Sequence, residues 1–140
     1  MIDKRKIIFR FLQIGAFLYR EGNRIVNEFG INQQQFVVLR FISNHQPVNQ
    51  KDIYSHLLFE KSNLSKIIKK LESMQLIRKE MSTDDNRFSV LTIKPKGKTI
   101  VKKAMKKFEL YNSDLLKEFS EREIYDINKS LEIFNNKMKK

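Results

Sequence analysis

Between Lys4 and Phe29 the apolar residues Ile7, Ile8, Phe11, Ile14, Leu18, Ile25, Val26 and Phe29 recur on one face of a chain wound at about 100° per residue. That pattern predicts one long helix. Gly15 and Gly22 lie inside the same stripe. Each costs about 1 kcal/mol of helix propensity relative to alanine, so each is either simply tolerated or admits the close approach of another helix.

Further along, Gly30 breaks the first helix and Asn32 is placed to cap a second. Its apolar run from Phe36 to Ile42 lasts until Pro47 stops it. Asn49 can cap a short third helix through Ile53 and Leu57. After a brief linker at Phe59 to Lys61, Ser62 is the expected cap of a fourth, in which Leu64, Ile67, Ile68, Leu71 and Met74 follow helical spacing. Its opposite face carries Ser62, Lys66, Lys69 and Ser73, flanked by Ser65 and Lys70. Two short β-like runs, Leu76 to Met81 and Phe88 to Ile93, are joined by the polar segment STDDNR and read as a hairpin. Pro95 fits the first turn of a helix with the stripe Val101, Met105, Phe108, Leu115 and Phe119. Ser120 with Glu123 forms a capping-box pattern that opens the last helix. There Ile124, Ile127, Leu131, Phe134 and Met138 make a narrow seam at coiled-coil spacing, which wants a partner helix.

Charge adds a partner class to this outline. The 140 residues suit one domain, and 28 Lys+Arg against 16 Asp+Glu give a formal net charge of +12. Such a balance favours a polyanion: nucleic acid or an anionic membrane surface. The absence of cysteine excludes disulfides, thiolate metal sites and thiol redox sensing within the chain. The basic, then apolar start of the chain reads as helix rather than signal peptide, because Arg10 interrupts the apolar run and no small-residue cleavage site follows. No stretch approaches the roughly 18 uninterrupted apolar residues of a membrane span. The expected location is the cytoplasm.

Catalytic chemistry finds little support. His45 and His56 fall at predicted helix ends, without an Asp or Ser at triad spacing and without a metal cluster, and no phosphate-binding glycine loop exists among four glycines. No cofactor is expected. Lys94 to Lys107 holds seven lysines and no acid, which raises a membrane-surface helix as a rival. Glu109 and Asp114 further along suggest a protein interface instead.

Helix, short helix, turn, helix with a basic outer face, then hairpin is the order of a winged helix-turn-helix module. Lys61 to Lys79 contains six basic residues and only Glu72 as an acid. A helix about 10–12 Å across fits a major groove, where hydroxyls and ammonium groups meet base edges and phosphates.

Two stretches give the chain its resemblance to the MarR family of bacterial transcriptional regulators, over essentially its whole length. KSNLSKIIKKLESMQLIRK is similar to the family's recognition helix, with its Ser-x-x-Ser start and strand-opening tail. In DNRFSVLTIKPKG, Asp85 and Arg87 match the Asp-x-Arg wing motif, and Gly97 matches the glycine that follows the second wing strand. The chain departs from the pattern at Gln75, where the family has glycine, and at Ile93 and Lys94, where it has Leu-Thr. Gln75 should therefore adopt a left-handed conformation or end the helix differently. SarA-type regulators share the Asp-x-Arg wing and are possible closer kin.

The expectation is a mainly α protein: a winged helix-turn-helix core with a two-stranded β-hairpin wing, over 30–94, flanked by dimerisation helices at 1–29 and 95–140. The expected DNA contacts are Ser62, Asn63, Ser65, Lys66, Lys69 and Lys70 on the recognition helix, with Asp85 and Arg87 on the wing. Arginine at a wing tip can enter a narrow minor groove, and a carboxylate two residues back can orient its fork. The expected function is that of a homodimeric regulator, in the simplest case a repressor, on a pseudo-palindromic duplex site. The resemblance also implies release by a small, often aromatic anion. The alternative is a winged-helix adaptor that binds another protein.

Overall fold

The computed structural model describes residues 3–81 and 89–139. Helix α1, Lys4–Val26, opens on Asp3, whose carboxylate accepts the Arg5 amide at 3.0 Å. It does not run unbroken to Phe29: the last three residues, Asn27–Phe29, tighten into one 3-10 turn. Gly30 then reverses the chain at φ 75°, a left-handed conformation that glycine adopts without steric penalty.

Helix α2, Gln33–His45, starts with a reciprocal capping box. Asn32 Oδ1 accepts the Gln35 amide at 2.8 Å, and Gln35 Oε1 accepts the Asn32 amide at 2.9 Å. Pro47 follows two residues after the helix ends. Helix α3, Gln50–His56, is capped by Asn49 as its sequence predicts, with the Asp52 amide donating at 2.8 Å. Helix α4 spans Lys61–Ser73. Strands β1, Ile77–Met81, and β2, Ser89–Ile93, pair antiparallel with Ile77 opposite Ile93. Val48 adds a single bridge to Leu91 on the far side of β2, with backbone bonds of 3.1 and 2.7 Å.

Helix α5, Pro95–Leu116, begins with proline in its first turn. Helix α6, Glu121–Met138, has the expected capping box. Ser120 Oγ accepts the Glu123 amide at 3.1 Å, and Glu123 Oε1 accepts the Ser120 amide at 3.0 Å. Hydrogen bonding from Ser120 to the Glu123 carboxyl, by its backbone amide first and its hydroxyl second, holds that carboxyl below its usual range.

One core organises the chain. Leu39, Ile42, Ile53, Leu64, Leu71, Leu76 and Leu91 are among its fully buried side chains, and α2 runs through it in contact with α1, α3, α4, α5 and β2. Among the described residues every buried position lies between Gly22 and Ala104. The first turns of α1, the end of α5 and all of α6 therefore bury nothing fully in this chain. Ile8, Phe11 and Leu12 of α1, with Leu131, Phe134 and Met138 of α6 and Leu58, instead line an open apolar groove of about 620 Å³. Phe11 and Phe134 touch across it, ring centroids 4.6 Å apart.

The two glycines of α1 separate in role. A Cβ on Gly22 would sit 2.6 Å from Cγ of Gln33, so that glycine admits α2 of the same chain. Around Gly15 nothing lies within 4 Å.

Candidate nucleic-acid interface

Helix α4 is set by what it buries. Leu64, Ile67, Ile68 and Leu71 face the core, which leaves Ser62, Lys66, Lys69 and Ser73 on the outer face. The helix begins one residue earlier than expected. Glu60 takes the N-cap position, with the Leu64 amide bonded to its carbonyl at 2.9 Å, and Ser62 is the second helical residue. The Ser62 hydroxyl donates to Glu60 Oε1 at 2.7 Å rather than capping an amide.

The six expected contact residues of α4 divide into two groups. Ser62, Lys66, Lys69 and Lys70 are exposed, whereas Asn63 and Ser65 are half-buried and bonded inward. Asn63 Nδ2 donates to Gln34 Oε1 on α2 at 3.3 Å, and Ser65 Oγ accepts from Gln50 Nε2 on α3 at 2.7 Å. These bonds pin α4 to both helices behind it. Gln34 and Gln50 were not singled out from the sequence, because a half-buried glutamine leaves no mark in hydrophobic periodicity.

Gln75 takes the left-handed route at the end of α4, with φ 63°. The Leu76 amide reaches back to the Leu71 carbonyl at 3.1 Å and the Gln75 amide to the Glu72 carbonyl at 3.0 Å, the two bonds of a Schellman ending. Lys94 Nζ donates to Gln75 Oε1, fastening the start of α5 to this corner. Gly97 is buried beneath it. A Cβ there would collide with the Leu76 carbonyl oxygen and sit 2.9 Å from Cγ1 of Ile93.

On the wing, Arg78, Lys79, Glu80 and Met81 of β1 are exposed, and Arg78 pairs with Glu80 at 3.3 Å. Asp85 and Arg87 lie outside the described residues. Both histidines sit at helix ends: Nδ1 of His45 is 2.9 Å from the Phe41 carbonyl and Nδ1 of His56 is 2.8 Å from that of Asp52. Their rings flank Phe41, at centroid distances of 4.0 and 5.6 Å. Among the described residues no three His, Asp or Glu side chains gather as a metal site, and no helix is long and apolar enough to cross a membrane.

Comparison with known proteins agrees with this architecture. The family model described as MarR family matches residues 31–88. An uncharacterized HTH-type transcriptional regulator of Bacillus subtilis (strain 168), YsmB, is 23% identical over 127 residues, covering 91% of this chain and 87% of the relative. The HTH-type transcriptional regulator MgrA of Staphylococcus aureus is 28% identical over 79 residues, 56% of this chain and 54% of that protein. Among solved structures, a putative MarR family transcriptional regulator from Listeria monocytogenes, complexed with 26mer DNA, superposes with a TM-score of 0.86 at 25% identity, over 99% of this chain and 90% of the other. The regulators it resembles are not enzymes. The matched segment spans α2 through β1 and the whole chain superposes on such a regulator, so in both sequence and fold this protein is similar to the MarR family of transcriptional regulators.

Proposed function

We propose that the protein binds duplex DNA sequence-specifically as a homodimer, with α4 in the major groove, and that it represses by occupying a promoter. One observation carries this reading: the outer face of α4 presents Ser62, Lys66 and Lys69 to solvent, while Asn63 and Ser65 anchor the same helix to α2 and α3. A reading helix must be both basic outside and rigidly mounted. The Listeria relative of 25% identity was crystallised on DNA, which supports the same use here.

Dimerisation is supported by the apolar groove between α1 and α6 and by the exposed seam Ile124, Ile127, Leu131 and Met138, a surface too extensive for a monomer to leave to water. In that arrangement 30–94 acts as the DNA-binding lobe, while 1–29 and 95–140 supply the dimer contacts. Two copies of α4 then enter successive major grooves about 34–36 Å apart, on a pseudo-palindromic site. Arg87 enters the flanking minor groove, oriented by Asp85. Such a partner places the protein in the cytoplasm. A small aromatic anion is the effector class the family resemblance suggests, and a thermal-shift screen of phenolic acids tests for one.

Mobility shift on random and palindromic duplexes, each titrated with salt, tests the proposal. Binding that weakens steeply with salt and prefers particular sites is expected. No shift at low salt would leave the protein-binding adaptor instead.

A further inference from the structure

The lysines of α5 take no part in the interface described so far. Lys98, Lys102 and Lys106 follow at four-residue steps with Lys103 beside them, all exposed, and no acid occurs between Lys94 and Lys107. Among the described residues none of these four forms an ion pair, whereas neighbouring Lys107 pairs with Glu28. The other side of the same turns is locked into the core by Gly97, Ile100 and Ala104. Like charges four apart oppose helix formation, so this ridge is held in place by the packing behind it.

It stands on a different helix from the face of α4. Both helices pack inward on α2, and Phe36 of α2 stacks on Phe108 of α5 at 5.0 Å. The two basic faces thus belong to separate helices mounted on one core.

We propose that the α5 lysine ridge is a second site for the phosphate backbone of duplex DNA, which holds DNA outside the segment read by α4 and lets one molecule join two duplex segments. The proposal rests on the DNA-binding reading above. Lys98 to Lys106 spans about 12 Å at 1.5 Å per residue, over which one strand of B-DNA presents about three or four phosphates. Lysine ammoniums are point charges that neutralise phosphates without reading bases. The ridge carries no aromatic or aliphatic anchor of the kind that dominates protein docking. A lipid surface needs an apolar face alongside the lysines, and in these turns of α5 that face is buried.

The test immobilises one short operator-length duplex on beads, adds protein, and measures capture of a second, fluorescent duplex of unrelated sequence. A single long duplex, read for compaction, distinguishes flanking DNA from a separate molecule. The variant K98A/K102A/K106A should hold the first duplex with unchanged affinity and lose second-duplex capture and compaction at least about tenfold, with the salt slope of capture falling by up to about 2.7 units. Compaction without capture would assign the ridge to flanking DNA, capture to separate duplexes, and either supports the site. Second-segment binding that persists in the variant overturns it. So does a wild-type protein that holds the first duplex but captures and compacts nothing, or whose ridge takes polyglutamate in place of the second duplex. If the wild type fails to hold even the first duplex, the DNA-binding reading falls and this proposal with it.

Discussion

Gly97 closes over the carbonyl oxygen of Leu76 so tightly that no Cβ fits between them, while the same oxygen accepts the Lys94 amide at 2.9 Å. The end of α4, the exit of β2 and the first turn of α5 are thus joined at one backbone atom. Because that atom cannot move like a side-chain end, Gly97→Ala should cost about 1–3 kcal/mol. A melting temperature several degrees lower is expected by calorimetry. An unchanged melting temperature would mean that the corner yields freely.

The opposite effect is expected at the residue before Leu76. Gln75 sits at φ 63°, where a side chain costs about 1–2 kcal/mol relative to a right-handed conformation and glycine pays no such penalty. Gln75→Gly should therefore stabilise the protein by roughly 0.5–1 kcal/mol in denaturant titration, after the larger entropy of glycine in the unfolded chain is subtracted. A loss of stability would show that the Lys94 bond to the glutamine side chain outweighs the strain.

Leu131 stands 44% exposed on the α6 seam and lines the groove with Phe11 and Phe134. In the proposed dimer a partner helix covers it, so Leu131→Glu should release monomers, since burying an unpaired charge there costs several kcal/mol. Sedimentation at micromolar concentration reads the outcome. A monomeric wild type under those conditions contradicts the dimer.

Arg87→Ala separates a reading arginine from a fastening one. Loss of a guanidinium seated in a minor groove should remove on the order of 1–3 kcal/mol of DNA affinity, most on A-tract flanks, while an exposed ion pair contributes only about 0–1 kcal/mol to stability. Asp85→Ala should act in the same direction more weakly. A variant that melts several degrees lower yet binds as the wild type would assign Arg87 to the hairpin alone.

Much of the fold was legible in the chain. Asn32, Asn49, Pro95 and the Ser120–Glu123 pair each announce a helix start through local chemistry, and the structure places helices at all four. At Gln75 the sequence left two exits open, a left-handed turn or a different helix end, and the structure takes the left-handed one. Other details depend on tertiary contacts that local pattern does not encode. Ser62 lost the capping position to Glu60, whose carbonyl takes the amide of the buried Leu64. Gly22 serves Gln33 of the same chain, although its place in an apolar stripe resembles that of Gly15. The inward bonds of Asn63 and Ser65 depend on glutamines far away in the chain, and the Val48 bridge to Leu91 joins a residue between two helices to the wing. Each of these pairings is visible only once α2, α3 and β2 are assembled.

The central claim is that the outer face of α4 reads DNA, and the salt dependence of binding by K66A/K69A tests it most directly. Both lysines are exposed and point away from the core, so their removal should leave folding intact. If each neutralises one phosphate, the log–log slope of affinity against salt should fall by nearly two units, at about 0.9 per contact, together with a loss of affinity at low salt. A double variant with the affinity and slope of the wild type would contradict the account and place the DNA contact elsewhere on the molecule.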